Sequence, residues 1–122
     1  PIEALILFVS NIFWVFAYDS HYAISDMEDD KKLNIHSAPL TFNNKIILMI
    51  TLSYFLMFLH LFIIGVLKEF TFSFYVFLGL AIIISMYGCF EGRHMDPSKN
   101  FKAFLRNNYV GILIFVGFLS QI

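Results

Sequence analysis

The part of the chain best equipped for chemistry runs from Tyr18 to Lys32, YDSHYAISDMEDDKK. If a helix carries it, Asp19, Asp26 and Asp30 recur at i, i+7 and i+11 and share one face, with Asp26 and Asp30 a single turn apart. Tyr22 and Asp29 lie close to the same stripe. Carboxylates stacked in this way repel each other, by about 0.2–0.5 kcal/mol for each i,i+4 pair even in water. A hard divalent cation relieves that repulsion. Mg2+ takes oxygen ligands, keeps several waters, and is held by one or two carboxylates together with substrate phosphates. An Asp-x-x-x-Asp pair on a helix is therefore a reasonable holder for a Mg2+–diphosphate, and Lys31 and Lys32 follow where they can neutralise phosphate oxygens. An acidic run after an apolar segment is more ordinarily a solvated loop. The one-face spacing and the adjacent lysines favour a site.

The elements around this run must sit in lipid. Of 122 residues, 59% are hydrophobic and only 14% charged, more apolar surface than a soluble domain of this size can bury. The net charge of −1 gives nucleic acid no reason to bind. Cys89 is alone, so no disulfide framework exists, and it reads as a packed core residue. Four apolar segments stand out: Pro1 to Tyr18, Ile46 to Leu67, Phe70 to Phe90, and Tyr109 to Ile122. Crossing a bilayer takes roughly 20 apolar residues in a helix. The middle two reach that length, the first nearly does, and the last is short. None alternates like a strand, and backbone in lipid must satisfy its own hydrogen bonds, so the expected fold class is all-α, a polytopic transmembrane helix bundle with about four spans.

The connections differ in character. Lys68-Glu69 reads as a tight turn between antiparallel spans. Asp19 to Lys45 is long and acidic, and Glu91 to Asn108 is polar with an amphipathic piece from Asn100 to Arg106. Lysine and arginine cluster in these two long loops, which places both on the cytoplasmic side by the positive-inside rule. The chain begins with Pro1 and ends with Ile122, each inside an apolar run, and has no signal-peptide pattern. The expectation is that residues 1–122 form the C-terminal part of one transmembrane domain.

Asn11 to Ser37, NIFWVFAYDSHYAISDMEDDKKLNIHS, resembles the second aspartate-rich motif of the UbiA superfamily of intramembrane prenyltransferases. Within that superfamily YDxxYAxxDxxDD, Tyr18 to Asp30, is similar to the branch acting on 4-hydroxybenzoate, and FKAFLRNNYVG, Phe101 to Gly111, resembles that branch's loop and last helix. The resemblance implies a bundle of nine transmembrane helices around a cavity, of which this chain supplies the last four. It implies that Asp26 and Asp30 are the catalytic pair binding diphosphate through Mg2+, with Asp29 beside them as a further metal ligand. Asp19, Tyr22, Lys31 and Lys32 become substrate-binding residues, Tyr22 facing the aromatic acceptor. The implied reaction moves a polyprenyl group from polyprenyl diphosphate to the ring of 4-hydroxybenzoate, in ubiquinone biosynthesis, within a bacterial or mitochondrial inner membrane.

The chain departs from that pattern twice. Asn34 and His36 stand where the family commonly has glycine and a basic residue, and nothing matches the family's first aspartate-rich motif. The isolated chain is therefore expected to be inactive. The alternatives are a related enzyme with another acceptor (homogentisate, a naphthoate or a haem precursor) and a non-enzymatic membrane subunit whose acidic loop binds cations. His60, deep in an apolar run, reads as a neutral histidine bonded to a neighbouring helix. Trp14 and Tyr18 fit an interfacial belt, and Asn107 and Asn108 read as openers of the last helix.

Overall fold

A computed structural model describes all residues except His36, Ser37 and Asn44, and all side chains but theirs and those of Ala38 and Thr41. It contains helices α1 (Ile2–Ser25), α2 (Met27–Lys32), α3 (Ala38–Phe42), α4 (Lys45–Leu67), α5 (Phe72–Glu91) and α6 (Pro97–Leu119), and no strand among the described residues. The four long helices form an up-down-up-down bundle. α1 packs against α4 and α6, and α5 packs against the same two. Short connections join α4 to α5 and α5 to α6, as antiparallel neighbours require. The long acidic connection and the α5–α6 connection thus lie at one end, termed here the loop end. Three helices, α1, α4 and α5, are long and apolar enough to cross a membrane.

The bundle is apolar on both its inner and outer faces. Ile46, Ile50, Tyr54, Met57, Leu61 and Ile64 of α4 are buried against the other helices. Leu48, Leu52, Phe55, Leu59, Phe62 and Val66 form a second stripe, 40–61% exposed. On α5, Val76, Leu80, Ile83, Tyr87 and Phe90 repeat the pattern at 41–65%. Such faces are unstable in water and natural in hydrocarbon. Small residues let the helices approach closely. At Gly88 an added Cβ would lie 3.1 Å from Ala103 Cβ, and at Gly117 3.3 Å from Phe77 Cβ.

One sequence expectation needs correcting at the C-terminal end. Asn100–Arg106 is not a separate interfacial piece, and Asn107 and Asn108 do not open a helix. α6 is continuous from Pro97, and Asp96 is its N-cap, its carboxylate accepting from Lys99 N–H at 2.9 Å. Asp followed by Pro is a strong start signal. Reading polarity alone placed the start too late, because the first turns of α6 carry Lys99, Lys102 and Arg106 on a helix that is otherwise apolar.

The acidic segment ends in a defined cap. Asn34 N–H bonds Lys31 C=O at 3.2 Å and Ile35 N–H bonds Asp30 C=O at 2.8 Å, with Asn34 at φ 57°. This is the Schellman pattern, whose left-handed residue is usually glycine and sometimes asparagine. Asn34 thereby meets a backbone requirement that glycine would also meet. His36 lies outside the described residues. Asn34→Val is expected to cost about 1–2 kcal/mol locally, because β-branched residues avoid this region. The readout is faster amide exchange at Ile35, whereas Asn34→Gly should exchange at the native rate.

Candidate functional site

The helix predicted through Tyr18 to Lys32 is present but bent. α1 ends at Ser25, Asp26 is the junction, and α2 continues from Met27. Asp26 N–H still bonds Tyr22 C=O at 3.2 Å, and Asp30 N–H bonds Asp26 C=O at 2.9 Å, so the helical path is bent rather than broken. The Ser25 hydroxyl also donates to Tyr22 C=O, which must then serve two donors. Hydroxyl back-bonding of this kind bends helices.

The acidic stripe is partly open to solvent. Asp19 and Asp29 are exposed, Asp26 and Asp30 half-buried, and Lys31 and Lys32 exposed. Asp26 occupies an N-cap position yet makes no side-chain capping bond, so its carboxylate is not engaged by the α2 backbone. The ion pairs among the described residues, Glu3–Lys68 at 4.0 Å and Arg106–Glu91 at 2.9 Å, involve none of these aspartates. No three acidic, histidine or cysteine side chains among the described residues gather into a metal site by themselves. Asp26 and Asp30, one turn apart, in no ion pair among the described residues and purely oxygen donors, do fit Mg2+ held jointly by protein and phosphate, which needs only one or two carboxylates.

Tyr22 turns toward α6. Its ring centroid lies 5.0 Å from that of Phe104 and 6.3 Å from that of Phe101. Phe104 in turn lines a cavity of about 530 Å³ between α1 and α6, with Trp14, Tyr18, Asn108 and Ile112. A second cavity, of about 480 Å³, continues toward the far end past Leu7, Phe8 and Ile114, sharing Trp14 and Gly111 with the first. Gly111 matters here because a Cβ on it would lie 3.0 Å from the Trp14 ring. The result is a mostly apolar trough that begins beside Tyr22.

Sequence reading missed the buried polar layer behind this face. Asn107 Oδ1 accepts from Trp14 Nε1–H at 2.9 Å and from Tyr54 O–H at 2.8 Å, while its Nδ2 donates to Ala103 C=O at 2.9 Å. Trp14 is thus tied to α6 by its indole N–H. His21 Nδ1 lies 2.8 Å from Asn100 Oδ1. The signal was available: Asn100, Ala103, Asn107 and Val110 follow helical spacing, as do Ser10, Ala17, His21 and Ile24. In a membrane helix the small and polar stripe faces inward. His60 bonds its own helix, at Leu56 C=O 2.6 Å away, rather than a neighbour.

Residues 1–117 match the UbiA prenyltransferase family. The chain is 38% identical over its whole length to a 4-hydroxybenzoate octaprenyltransferase of Pasteurella multocida, covering 42% of that protein. It is 34% identical to one from Xanthomonas campestris pv. campestris, covering 40% of it, and 37% identical to one from Pseudomonas aeruginosa, covering 41%. The chain thus spans about two-fifths of the length of these relatives. No solved structure matches it. With a family match over nearly all its residues and an aspartate-bearing bent helix lying open on an apolar bundle, the chain belongs to the UbiA prenyltransferase family.

Proposed function

We propose that this chain is the C-terminal part of a Mg2+-dependent enzyme that transfers a polyprenyl group from its diphosphate to the ring of 4-hydroxybenzoate. The observation carrying this reading is the Asp26–Asp30 pair, one helical turn apart and in no ion pair among the described residues, on the helical path whose Trp14 and Tyr18 line the apolar trough. Asp26 and Asp30, with Asp29 alongside, present carboxylate oxygens for the metal. Lys31 and Lys32 offer ammonium groups to the phosphate oxygens, and Asp19 extends the acidic stripe along α1. Tyr22, against Phe101 and Phe104, gives a flat apolar surface suited to an aromatic acceptor. The trough excludes water from the hydrocarbon chain. Bound Mg2+ neutralises the charge that develops on the leaving diphosphate, a stabilisation effective in a water-poor site.

The loop end, with Lys31, Lys32, Lys45, Arg93, Lys99 and Lys102, faces the cytoplasm by the positive-inside rule, in a bacterial inner membrane. The bacterial origin of the relatives supports that placement.

The test is product formation by the intact protein from 4-hydroxybenzoate and a polyprenyl diphosphate. Chelating divalent cations is expected to abolish turnover, and added Mg2+ to restore it. Turnover that survives chelation would sink the metal assignment. Prenylation of homogentisate or a naphthoate in preference to 4-hydroxybenzoate would move the assignment to another acceptor.

A further inference from the structure

On the face of α1 turned into the bundle, just before the bend, His21 and Asn100 are both fully buried, at 0% exposure. Asn100 Nδ2 donates to Gly92 C=O at 3.0 Å and to Asp96 C=O at 2.9 Å. Two carbonyl acceptors fix the orientation of the amide, so its oxygen faces His21. Asn100 Oδ1 can only accept, which makes His21 Nδ1 the protonated nitrogen and the donor of the 2.8 Å bond. Its Nε2 has no partner among the described residues.

Asn100 thereby joins three segments: the C-cap of α5 at Gly92, the N-cap of α6 at Asp96, and α1. Gly92 leaves the space this needs, since a Cβ there would lie 2.6 Å from Asn100 Oδ1. Ser10 to Met57 C=O and Trp14 to Asn107 tie α1 to the bundle further upstream. Beyond His21, no side-chain hydrogen bond among the described residues holds α1 to another long helix before Asp26.

We infer that the His21–Asn100 bond is a positioning element for the Asp26–Asp30 pair, setting the rotation and depth of the last turn of α1. The inference rests on the proposed role of those aspartates. Removing the bond frees the turn that leads into the bend, so the carboxylates sample several geometries and hold the metal–diphosphate less well. Tyr22 stands beside His21 on that turn, so the acceptor surface it forms with Phe101 and Phe104 of α6 loosens in part.

The experiment uses the intact protein and four variants, with steady-state kinetics in polyprenyl diphosphate, Mg2+ and 4-hydroxybenzoate. H21L deletes the donor. H21N keeps an N–H where Nδ1 was. G92A disturbs Asn100 from the α5 side without touching α1, and D30N tests the carboxylates directly. Loss of one buried bond predicts that H21L and G92A raise the KM for polyprenyl diphosphate and the half-saturating Mg2+ about 10-fold. The KM for 4-hydroxybenzoate should rise less, because Phe101 and Phe104 stay on α6 while Tyr22 shares the loosened turn. H21N should remain within about 2-fold of wild type throughout.

A merely structural role would lower the yield of folded enzyme and leave every KM unchanged. That outcome, or an H21N as impaired as H21L, overturns the inference. If H21L does not accumulate in the membrane, G92A carries the same KM test. If D30N is fully active, the reading of the aspartates fails and the positioning role with it. If D30N is inactive while H21L and G92A keep native KM values, only the positioning inference fails.

Discussion

Asp26→Asn in the intact protein is expected to lower kcat for prenyl transfer by about 100- to 1,000-fold, the range typical when a group that stabilises developing charge is lost. The substitution keeps the side-chain shape and removes the charge. The fold should survive it, because the Asp26 carboxylate makes no capping bond to α2 and pairs with no cation among the described residues. The backbone bonds that carry the bend, Asp26 N–H to Tyr22 C=O and Asp30 N–H to Asp26 C=O, do not use the side chain either. Asp30→Asn should behave alike. Asp29→Asn, at a fully open position, should lose less. The measurement is turnover at saturating substrates per mole of membrane-inserted protein. An Asp26→Asn enzyme within about 3-fold of wild type would contradict a charge-stabilising role. A loss of inserted protein matching the loss of turnover would show that the aspartate serves folding instead.

Asn107→Leu should have the largest effect on stability. The amide oxygen of Asn107 is the shared acceptor for Trp14 Nε1–H and Tyr54 O–H, at 2.9 and 2.8 Å, and Asn107 is buried at 7% exposure. Leucine fits the space but strands two donors from two other helices. Each stranded donor costs about 1–3 kcal/mol when water cannot reach it. Interhelical hydrogen bonds in membranes average nearer 0.6 kcal/mol, because the unfolded chain in lipid also finds partners. The two considerations together give about 2–4 kcal/mol. Tyr54→Phe removes one donor and leaves Asn107 bonded to Trp14, so it should cost about 1 kcal/mol. Unfolding of the detergent-solubilised protein gives both values. Equal costs for the two substitutions would mean that Asn107 is not the hub of the layer.

These two sites stand differently toward the sequence. The aspartate stripe was legible because its chemistry depends on spacing within one continuous segment, and helical spacing survives the bend at Asp26. The resemblance of Tyr18 to Asp30 to the family motif rested on the same contiguous residues. Even the departure at Asn34 is a local matter, settled by a left-handed backbone angle that glycine and asparagine both tolerate. Asn107 and His21 were harder to read. Their roles depend on partners 53 to 93 residues away in the chain. A lone asparagine in an apolar helix does not announce which helix it will meet.

What the sequence determined by itself was therefore whatever depends on neighbours in the chain: lipid as solvent, helices as the only spanning form, and a row of carboxylates on one helical face. Apolar composition and helical periodicity are sums over local residues, and no packing arrangement alters them. Only the tertiary structure decided where α6 starts, that Trp14 bonds α6, and that Asn100 gathers α1, α5 and α6 at one point. In a membrane helix both faces are apolar, so the contrast that marks the core of a soluble protein is missing. Which stripe turns inward is set by the close approach of small residues and by the few hydrogen bonds that polar side chains must find there.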